Sequence, residues 1–136
     1  MSYPPPSECL PHEPPMVLLH EIKWVNDQGL SASVHLGNND IFDSRADVPI
    51  AWAMEIIAQA AAAYVGINYR VKGYTSGRLI RASSFSANAT FIPKSTKLTA
   101  MVTKIAESEM GVFLFQGSLS EGDVILAEAS FTILVK

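Results

Sequence analysis

The residues that decide the fold read VPIAWAMEIIAQAAAAYVGI, positions 48–67. Seven of the seventeen residues 51–67 are alanine, the strongest helix former, and Pro49 stands where a first helical turn accepts proline. Only Glu55 and Gln59 carry a carboxyl or an amide group, so the stretch has no solvent face. It predicts one helix that is buried nearly all round. Its shortness and the carboxylate near its start argue against a membrane span.

The sequence on both sides of this helix alternates between apolar and polar residues, which is typical of half-buried strands. Upstream, a turn at 27–29 joins two alternating stretches into a hairpin, and a polar loop over 37–47 follows. These patterns predict strands over 16–26, 30–36, 79–91, 98–105, 112–119 and 124–135.

One helix among six strands is an α+β order, and the sheet must wrap the helix because nothing else in 136 residues can cover it. A single curved sheet covers one side of a helix well and the other side poorly. We therefore expect the chain to form a dimer.

Composition narrows the class of protein. Apolar residues make up 49% of the chain and charged residues 17%, which fits one globular domain with a core. Ten basic and thirteen acidic side chains give a net charge of −3, which argues against binding to nucleic acid or anionic membranes. Cys9 is the single cysteine, so an internal disulfide framework and a cysteine-rich zinc site are excluded.

The N-terminal residues 1–15 hold six of the eight prolines. Because proline fixes φ and donates no backbone hydrogen bond, we expect an extended lead-in without a helix, followed by a single domain over 16–136. This stretch lacks a basic segment followed by an apolar one, so we expect the protein in the cytoplasm.

Glu55 is the first candidate for chemistry. Burial in apolar surroundings raises the pKa of a carboxyl group, and the positive end of a helix lowers it, so a carboxyl group in such a position suits proton transfer near neutral pH. Gln59 lies four residues on and can hydrogen-bond Glu55 or a ligand. The alternative is a structural carboxylate paired with Arg45, Arg78 or Arg81.

The helix start is the second candidate, because its first backbone N–H groups lack partners within the helix and could stabilise a polarised thioester carbonyl. Of the three histidines, His35 is expected to be exposed and His20 half-buried. His12, held between prolines, could be a positioned proton donor. No pair of histidines has the spacing of metal ligands, and no glycine-rich phosphate loop or G-x-S-x-G nucleophile elbow is present.

An ordered set of motifs resembles the hotdog-fold 3-hydroxyacyl-acyl carrier protein dehydratases, in particular the divergent branch associated with aryl polyene biosynthesis. The set comprises LPHEPPMVLLHEI from Leu10, the helix with Pro49, Glu55 and Gln59, and the turn Phe91-Ile92-Pro93. The likeness covers about residues 10–135.

The resemblance implies a hotdog fold, in which a curved antiparallel sheet of about six strands wraps a long central helix and pairs into a dimer with interfacial active sites. Glu55 falls on the family's acidic catalytic position. Ile50, after Pro49, falls where the main branch has a glycine whose N–H binds the thioester oxygen. Pro49, Ile50 and Gln59 form the expected substrate-binding set. No cofactor or metal is implied, because phosphopantetheine on acyl carrier protein carries the substrate.

The sequence departs from the main branch at one decisive place. Those enzymes carry a catalytic histidine in a Gly-His-Phe-Pro-Gly loop, where this chain has Asp40-Ile41-Phe42-Asp43. His12 could act as the base in its place, a partner subunit could bring the histidine, or the chain could be a non-catalytic subunit. Thioester hydrolysis by the helix carboxylate is a further alternative.

Carrier proteins are acidic, so a docking surface for them should be basic. Four basic residues lie within a dozen positions of one another and form the expected contact: Arg70, Lys72, Arg78 and Arg81. Whether the subunit pairs with a second copy or with another hotdog chain stays open at this stage.

Overall fold

The computed structural model describes residues 3–10, 16–38, 42, 47–69, 77–94 and 96–135. Within these ranges the helices are α1 (Pro6–Cys9) and α2 (Trp52–Asn68), with a short 3₁₀ turn at Leu36–Asn38. The strands are β1 (Leu19–Val25), β2 (Gly29–Val34), β3 (Val48–Pro49), β4 (Gly77–Ala87), β5 (Phe91–Ile92), β6 (Leu98–Glu107), β7 (Val112–Glu121) and β8 (Val124–Val135).

Six of these strands form one antiparallel sheet in the order β1-β2-β6-β7-β8-β4. β3 and β5 pair separately, just before the start of α2. The long helix contacts all six strands of the main sheet. This confirms the predicted α+β architecture, with about six strands wrapped round one helix, and the helix bounds agree with the prediction to within one residue.

A glycine lets the helix approach the middle of the sheet. A Cβ atom at Gly117 on β7 would lie 2.4 Å from Cγ2 of Ile57, so only a residue without a side chain fits beneath the helix at this point. Gly117 is paired with Val102 on β6 and Ala129 on β8, both of which are buried. Ile57 therefore packs over the centre of the concave face.

The C-terminal end of α2 is anchored by aromatic and polar contacts. The Tyr64 ring meets Phe115 edge-on at 5.5 Å, and its hydroxyl donates to the carbonyl of Asp27 in the β1–β2 turn at 2.7 Å. Burial raises the pKa of Tyr64 above its ordinary value. Beside it, Lys104 donates to the hydroxyl of Tyr69 at 3.0 Å.

Lys104 also bonds the carboxylate of Glu107, and this bond raises the pKa of the lysine. The hydroxyl of Tyr69 donates to the same carboxylate at 3.0 Å. Since Tyr69 follows α2 and the other two residues lie on β6, these bonds fix the end of the helix to the sheet.

The stretch 79–91, predicted as one strand, is two. β4 ends at Ala87, where Asn88 bonds the β8 carbonyls of Leu126 and Ile125 through its main-chain and side-chain nitrogens. The chain then leaves the main sheet, and β5 pairs with β3. Alternation continues through 88–90 although the hydrogen-bond partner changes, so the periodicity does not reveal the break.

The prediction that the proline-rich lead-in contains no helix is wrong, because α1 begins at Pro6. Proline is accepted in a first helical turn, where its missing N–H is not needed. Cys9 and Leu10 at the end of α1 belong to the core, and a Cβ atom at Gly66 of α2 would lie 2.4 Å from the Cys9 carbonyl oxygen. The lead-in therefore packs closely against the long helix.

The start of the lead-in lies alongside β1, the first strand of the sheet. Tyr3–Pro6 and the strand residues His20–Lys23 line the two sides of a groove of about 510 Å³. Three of the four lead-in residues are proline, so this segment has almost no N–H groups to offer to a strand.

Two histidines on the hairpin differ from the prediction. His20 is exposed, since the inward positions of β1 are taken by Leu19 and Ile22. His35 is half-buried, because the chain turns after β2 and packs it beside Gly37.

Ser31, on the outer side of β2, is buried at 5% exposure. It stands between the larger residues Trp24 and Met101 of the neighbouring strands, and both of them cover it. In the described ranges, no helix has the length and apolar character needed to span a membrane.

Candidate active site

The long helix turns one stripe of its surface away from the sheet. Glu55, Ala58 and Ala62, spaced three and four residues apart, are only half-buried, whereas Ile57 and Ala61 on the sheet side are fully buried. The prediction of burial all round is therefore wrong for this stripe, because one sheet covers only one side of the helix. Glu55 lies in the first turn of α2, at the start of the stripe.

Gln59 holds the Glu55 carboxylate in place. Its Nε2 donates to Oε1 of Glu55 at 3.1 Å and to the carbonyl of Met16 at 2.6 Å, and its Oε1 accepts from the N–H of Leu18 at 2.8 Å. Gln59 is completely buried, and both amide hydrogens are used inside the protein. Of the two roles open to Gln59 from its spacing, this arrangement fits orientation of Glu55, and no N–H is left to donate to a ligand.

The expected amide donor at the helix start is occupied. The N–H of Ile50 donates to the carbonyl of Thr90 at 3.0 Å, beside the pairing of Pro49 with Phe91. Ile50 would have to break this bond in order to bind a thioester oxygen.

Two other amides remain open at this end. In the part of the chain that the structure describes, the N–H groups of Ala51 and Trp52 donate to no acceptor, and the first helical N–H to donate is that of Ala53. These two donors lie one and two positions after Ile50, whose amide the resemblance implied, and they are available to an oxygen that gains negative charge.

An aromatic contact closes the same end of the helix. The Phe42 ring lies 5.0 Å from that of Trp52 in an edge-to-face arrangement. Phe42 is the one described residue of the Asp40–Asp43 segment, which stands in place of the family's histidine loop.

The concave face of the sheet remains uncovered beside the helix stripe. Ala82, Phe85 and Ala87 of β4 pair with buried residues of β8 and so face the helix side, yet all three are exposed, Phe85 by 41%. We call this the open flank, formed by Glu55, Ala58 and Ala62 on α2 and Ala82, Phe85 and Ala87 on β4.

Phe85 lies in the same row of the sheet as the residue beneath Ile57. Gly117, Ala129 and Phe85 form one row across β7, β8 and β4, and Gly117 is the residue over which Ile57 sits. Phe85 is therefore two strands, about 10 Å, from the point beneath Ile57. The sequence does not single out Phe85. Its alternation marks the side chain as inward-facing but does not reveal that the described residues leave it exposed.

Several of the predicted site residues fall outside the described residues: His12, Arg45, Arg70 and Lys72. The side chain of Arg78 is likewise not described, whereas Arg81 is exposed on β4. The structure therefore brings Glu55 and Gln59 together, and His12 stays a prediction.

Comparison with known proteins agrees with this architecture. The profile of the ApeP-like family, described as ApeP dehydratase, matches residues 4–136. A search of curated proteins finds no match to the chain.

Several solved structures share the fold. A chain of the dehydratase heterocomplex ApeI:P from Xenorhabdus doucetiae superposes with a TM-score of 0.87 at 20% identity, over 98% of this chain and 92% of that one. An uncharacterised protein from Pyrococcus horikoshii gives a TM-score of 0.71 at 13% identity, over 98% and 95% of the two chains. A hypothetical thioesterase with coenzyme A from Streptococcus pneumoniae gives 0.66 at 12% identity, over 85% and 87%. The hotdog fold implied by the motifs is thus confirmed.

Proposed function

Since the chain belongs to the ApeP-like family of dehydratases, we propose that it is one subunit of a two-chain enzyme that dehydrates 3-hydroxyacyl thioesters in aryl polyene biosynthesis. It supplies Glu55 to a shared active site, and a second hotdog subunit supplies the histidine. The observation that carries this proposal is the hydrogen bonding of Gln59, which fixes the Glu55 carboxylate on the half-buried side of the helix. The similar fold from Xenorhabdus doucetiae belongs to a dehydratase heterocomplex, which supports the pairing.

The reaction needs a polarised carbonyl, a base at C2 and an acid for the departing hydroxyl group. The N–H groups of Ala51 and Trp52 polarise the thioester carbonyl. The imidazole of the second subunit removes the C2 proton, and the protonated carboxyl of Glu55 gives its proton to the hydroxyl group, which leaves as water. Transfer of a proton from the imidazolium to the Glu55 carboxylate then restores both groups.

The substrate enters along the open flank, where the second subunit supplies the opposite wall. Ala58 and Ala62 leave room beside the helix for an acyl chain, and Phe85 offers an apolar surface on the sheet side. Acyl carrier protein presents the chain on phosphopantetheine, and we assign its docking to the basic stretch that includes Arg70 and Lys72.

The decisive test is Glu55→Gln in the complex with the histidine-bearing hotdog chain that co-purifies from the native host. This change keeps the shape of the side chain and removes its proton, so dehydration of a 3-hydroxyacyl carrier protein should fall by about 100-fold or more. Mass spectrometry of the carrier-bound acyl chain measures the loss of water. Glu128→Gln, on the exposed outer face, is the matched control and should keep wild-type turnover.

Three outcomes would contradict the proposal. Wild-type turnover by Glu55→Gln would remove the carboxyl group from the chemistry. Full activity of the isolated chain that disappears in His12→Ala would place the base within this subunit. Release of free thiol without loss of water would identify a thioesterase.

A further inference from the structure

The sheet ends at β4 in an edge that no described residue covers. β4 pairs with β8 on one side only, and it runs for 11 residues from Gly77 to Ala87. Every residue of this strand whose side chain the structure describes, Arg81–Ala87, is exposed. A long bare edge with an exposed inward-facing Phe85 is a template for pairing with another strand.

Charge is distributed very unevenly along the chain. Between Glu55 and Glu107 the sequence contains no aspartate or glutamate. The same interval holds seven of the ten cationic residues: Arg70, Lys72, Arg78, Arg81, Lys94, Lys97 and Lys104. Two of the seven, Arg78 and Arg81, lie on β4 itself, in a protein whose net charge is −3.

Arg81 lies near the middle of this edge. It pairs across the ladder with the backbone of Thr132, it is exposed, and it forms no ion pair among the residues described. The carboxylate of Glu128 on the neighbouring strand stands opposite Ser86, five residues away along β4.

Pairing of β4 with a second copy of itself would bring like charges together. An antiparallel pair centred on Ala82 sets Arg81 opposite Ser83 of the second copy. The two Arg81 side chains are then diagonal neighbours, about 7–8 Å apart on one face of the sheet. At this distance, which is inside the screening length of physiological salt, they repel each other.

We propose that β4 is a charge-selective docking edge that disfavours a second copy of this chain and accepts a hotdog strand with a carboxylate opposite Arg81. The inference rests on the two-subunit enzyme proposed above and adds the reason why its subunits differ. The apolar residues Ala82 and Phe85 favour pairing with any suitable strand, and Arg81 selects which strand pairs.

The test uses a charge-reversed copy of the same chain as the partner. Arg81→Glu replaces repulsion between two cations by repulsion between two anions, so neither protein should dimerise alone. An equimolar mixture of wild type and Arg81→Glu should form 1:1 dimers at least about tenfold more tightly than either protein associates with itself. Native mass spectrometry with one isotope-labelled chain counts the species, and hydrogen exchange should show protection confined to β4.

Lys23→Glu, on β1 at the other end of the sheet, is the matched control, and its mixture with wild type should gain no dimer. Because Arg81 is exposed, both variants should unfold at the wild-type temperature, which circular dichroism checks. Self-association of the wild type as tight as that of the mixture would overturn the proposal, and so would a mixture that stays monomeric. The dimerisation test does not measure activity, so the two proposals can fail separately. If the dimers form as expected but the Glu55→Gln complex is fully active, only the proposed function is rejected.

Discussion

Gln59 connects the fold to the candidate chemistry through a single amide group. The same Nε2 that bonds Glu55 also bonds the carbonyl of Met16, and Oε1 receives the N–H of Leu18. The segment that leads into β1 is therefore tied to the helix at the place where the carboxylate is oriented.

We expect Gln59→Leu to destabilise the protein by about 3 kcal/mol, because it leaves the buried N–H of Leu18 and the partly buried carbonyl of Met16 without their partner, and such unpaired groups cost about 1–3 kcal/mol each. Urea unfolding measures the loss. Gln116→Leu, on the exposed face of β7, is the matched control and should stay within about 0.5 kcal/mol of wild type. A loss for Gln59→Leu as small as that of its control would mean that the three bonds do not matter for stability.

The sequence predicts part of this arrangement and not the rest. The four-residue spacing places Gln59 beside Glu55 on one helix face, and the structure shows that bond. The bonds to Met16 and Leu18 join residues about forty positions apart, and no local pattern encodes such a contact. For the same reason, the spacing does not show that the Ile50 amide is already taken by Thr90.

At the scale of elements, helix α2 packs closely on the sheet because β7 has a glycine, Gly117, at the point where the helix crosses it. The space beneath Ile57 admits Gly117 and no larger residue. The alternation of β7 continues through Gly117, so sequence periodicity marks a strand there without revealing that the helix crosses it.

We expect Gly117→Ala to cost about 1–3 kcal/mol, the usual cost of overpacking a close-packed core. Ile57→Leu removes the methyl group that the new Cβ would meet, so the double variant should lose less than the sum of the two single changes. Chemical denaturation of all four proteins measures this coupling. Strictly additive losses of unfolding free energy would show that the Ile57 side chain is not what excludes a side chain at position 117. The carbonyl of Met101, 3.0 Å from the same point, limits the recovery to a partial one.

Strand predictions succeed where the pairing partner stays the same along the stretch. The region 98–105 is recovered within β6, and 124–135 coincides with β8. The stretch 79–91 fails because its last residues pair with β3 and its first residues with β8. The change of partner is a non-local event, and residues 88–90 contain no glycine or proline to announce it.

At the scale of the whole molecule, the net charge of −3 conceals two regions of opposite sign. All thirteen carboxylates lie outside the interval 56–106, which holds seven of the ten cations, and Glu55 stands at its border. Composition alone predicts a mildly acidic protein, whereas the edge strand β4 carries Arg78 and Arg81 and no carboxylate.

We expect the dissociation constant of the two-subunit complex to rise by about tenfold between low salt and 0.5 M sodium chloride, because screening weakens a cation–carboxylate interface. Isothermal titration calorimetry across a salt series measures it. Turnover at saturating concentrations of both subunits should change much less, since salt acts on assembly. A dissociation constant that is insensitive to salt would contradict an electrostatic basis for partner choice.

The proline segment beside β1 has a consequence for how far assembly can proceed. A sheet with two bare edges can grow into an endless ribbon, as each newcomer presents a fresh edge to the next. Here an incoming strand at β1 would meet Pro4–Pro6, which have no N–H groups to share. One junction therefore ends the growth, and the sheet avoids the path to fibres.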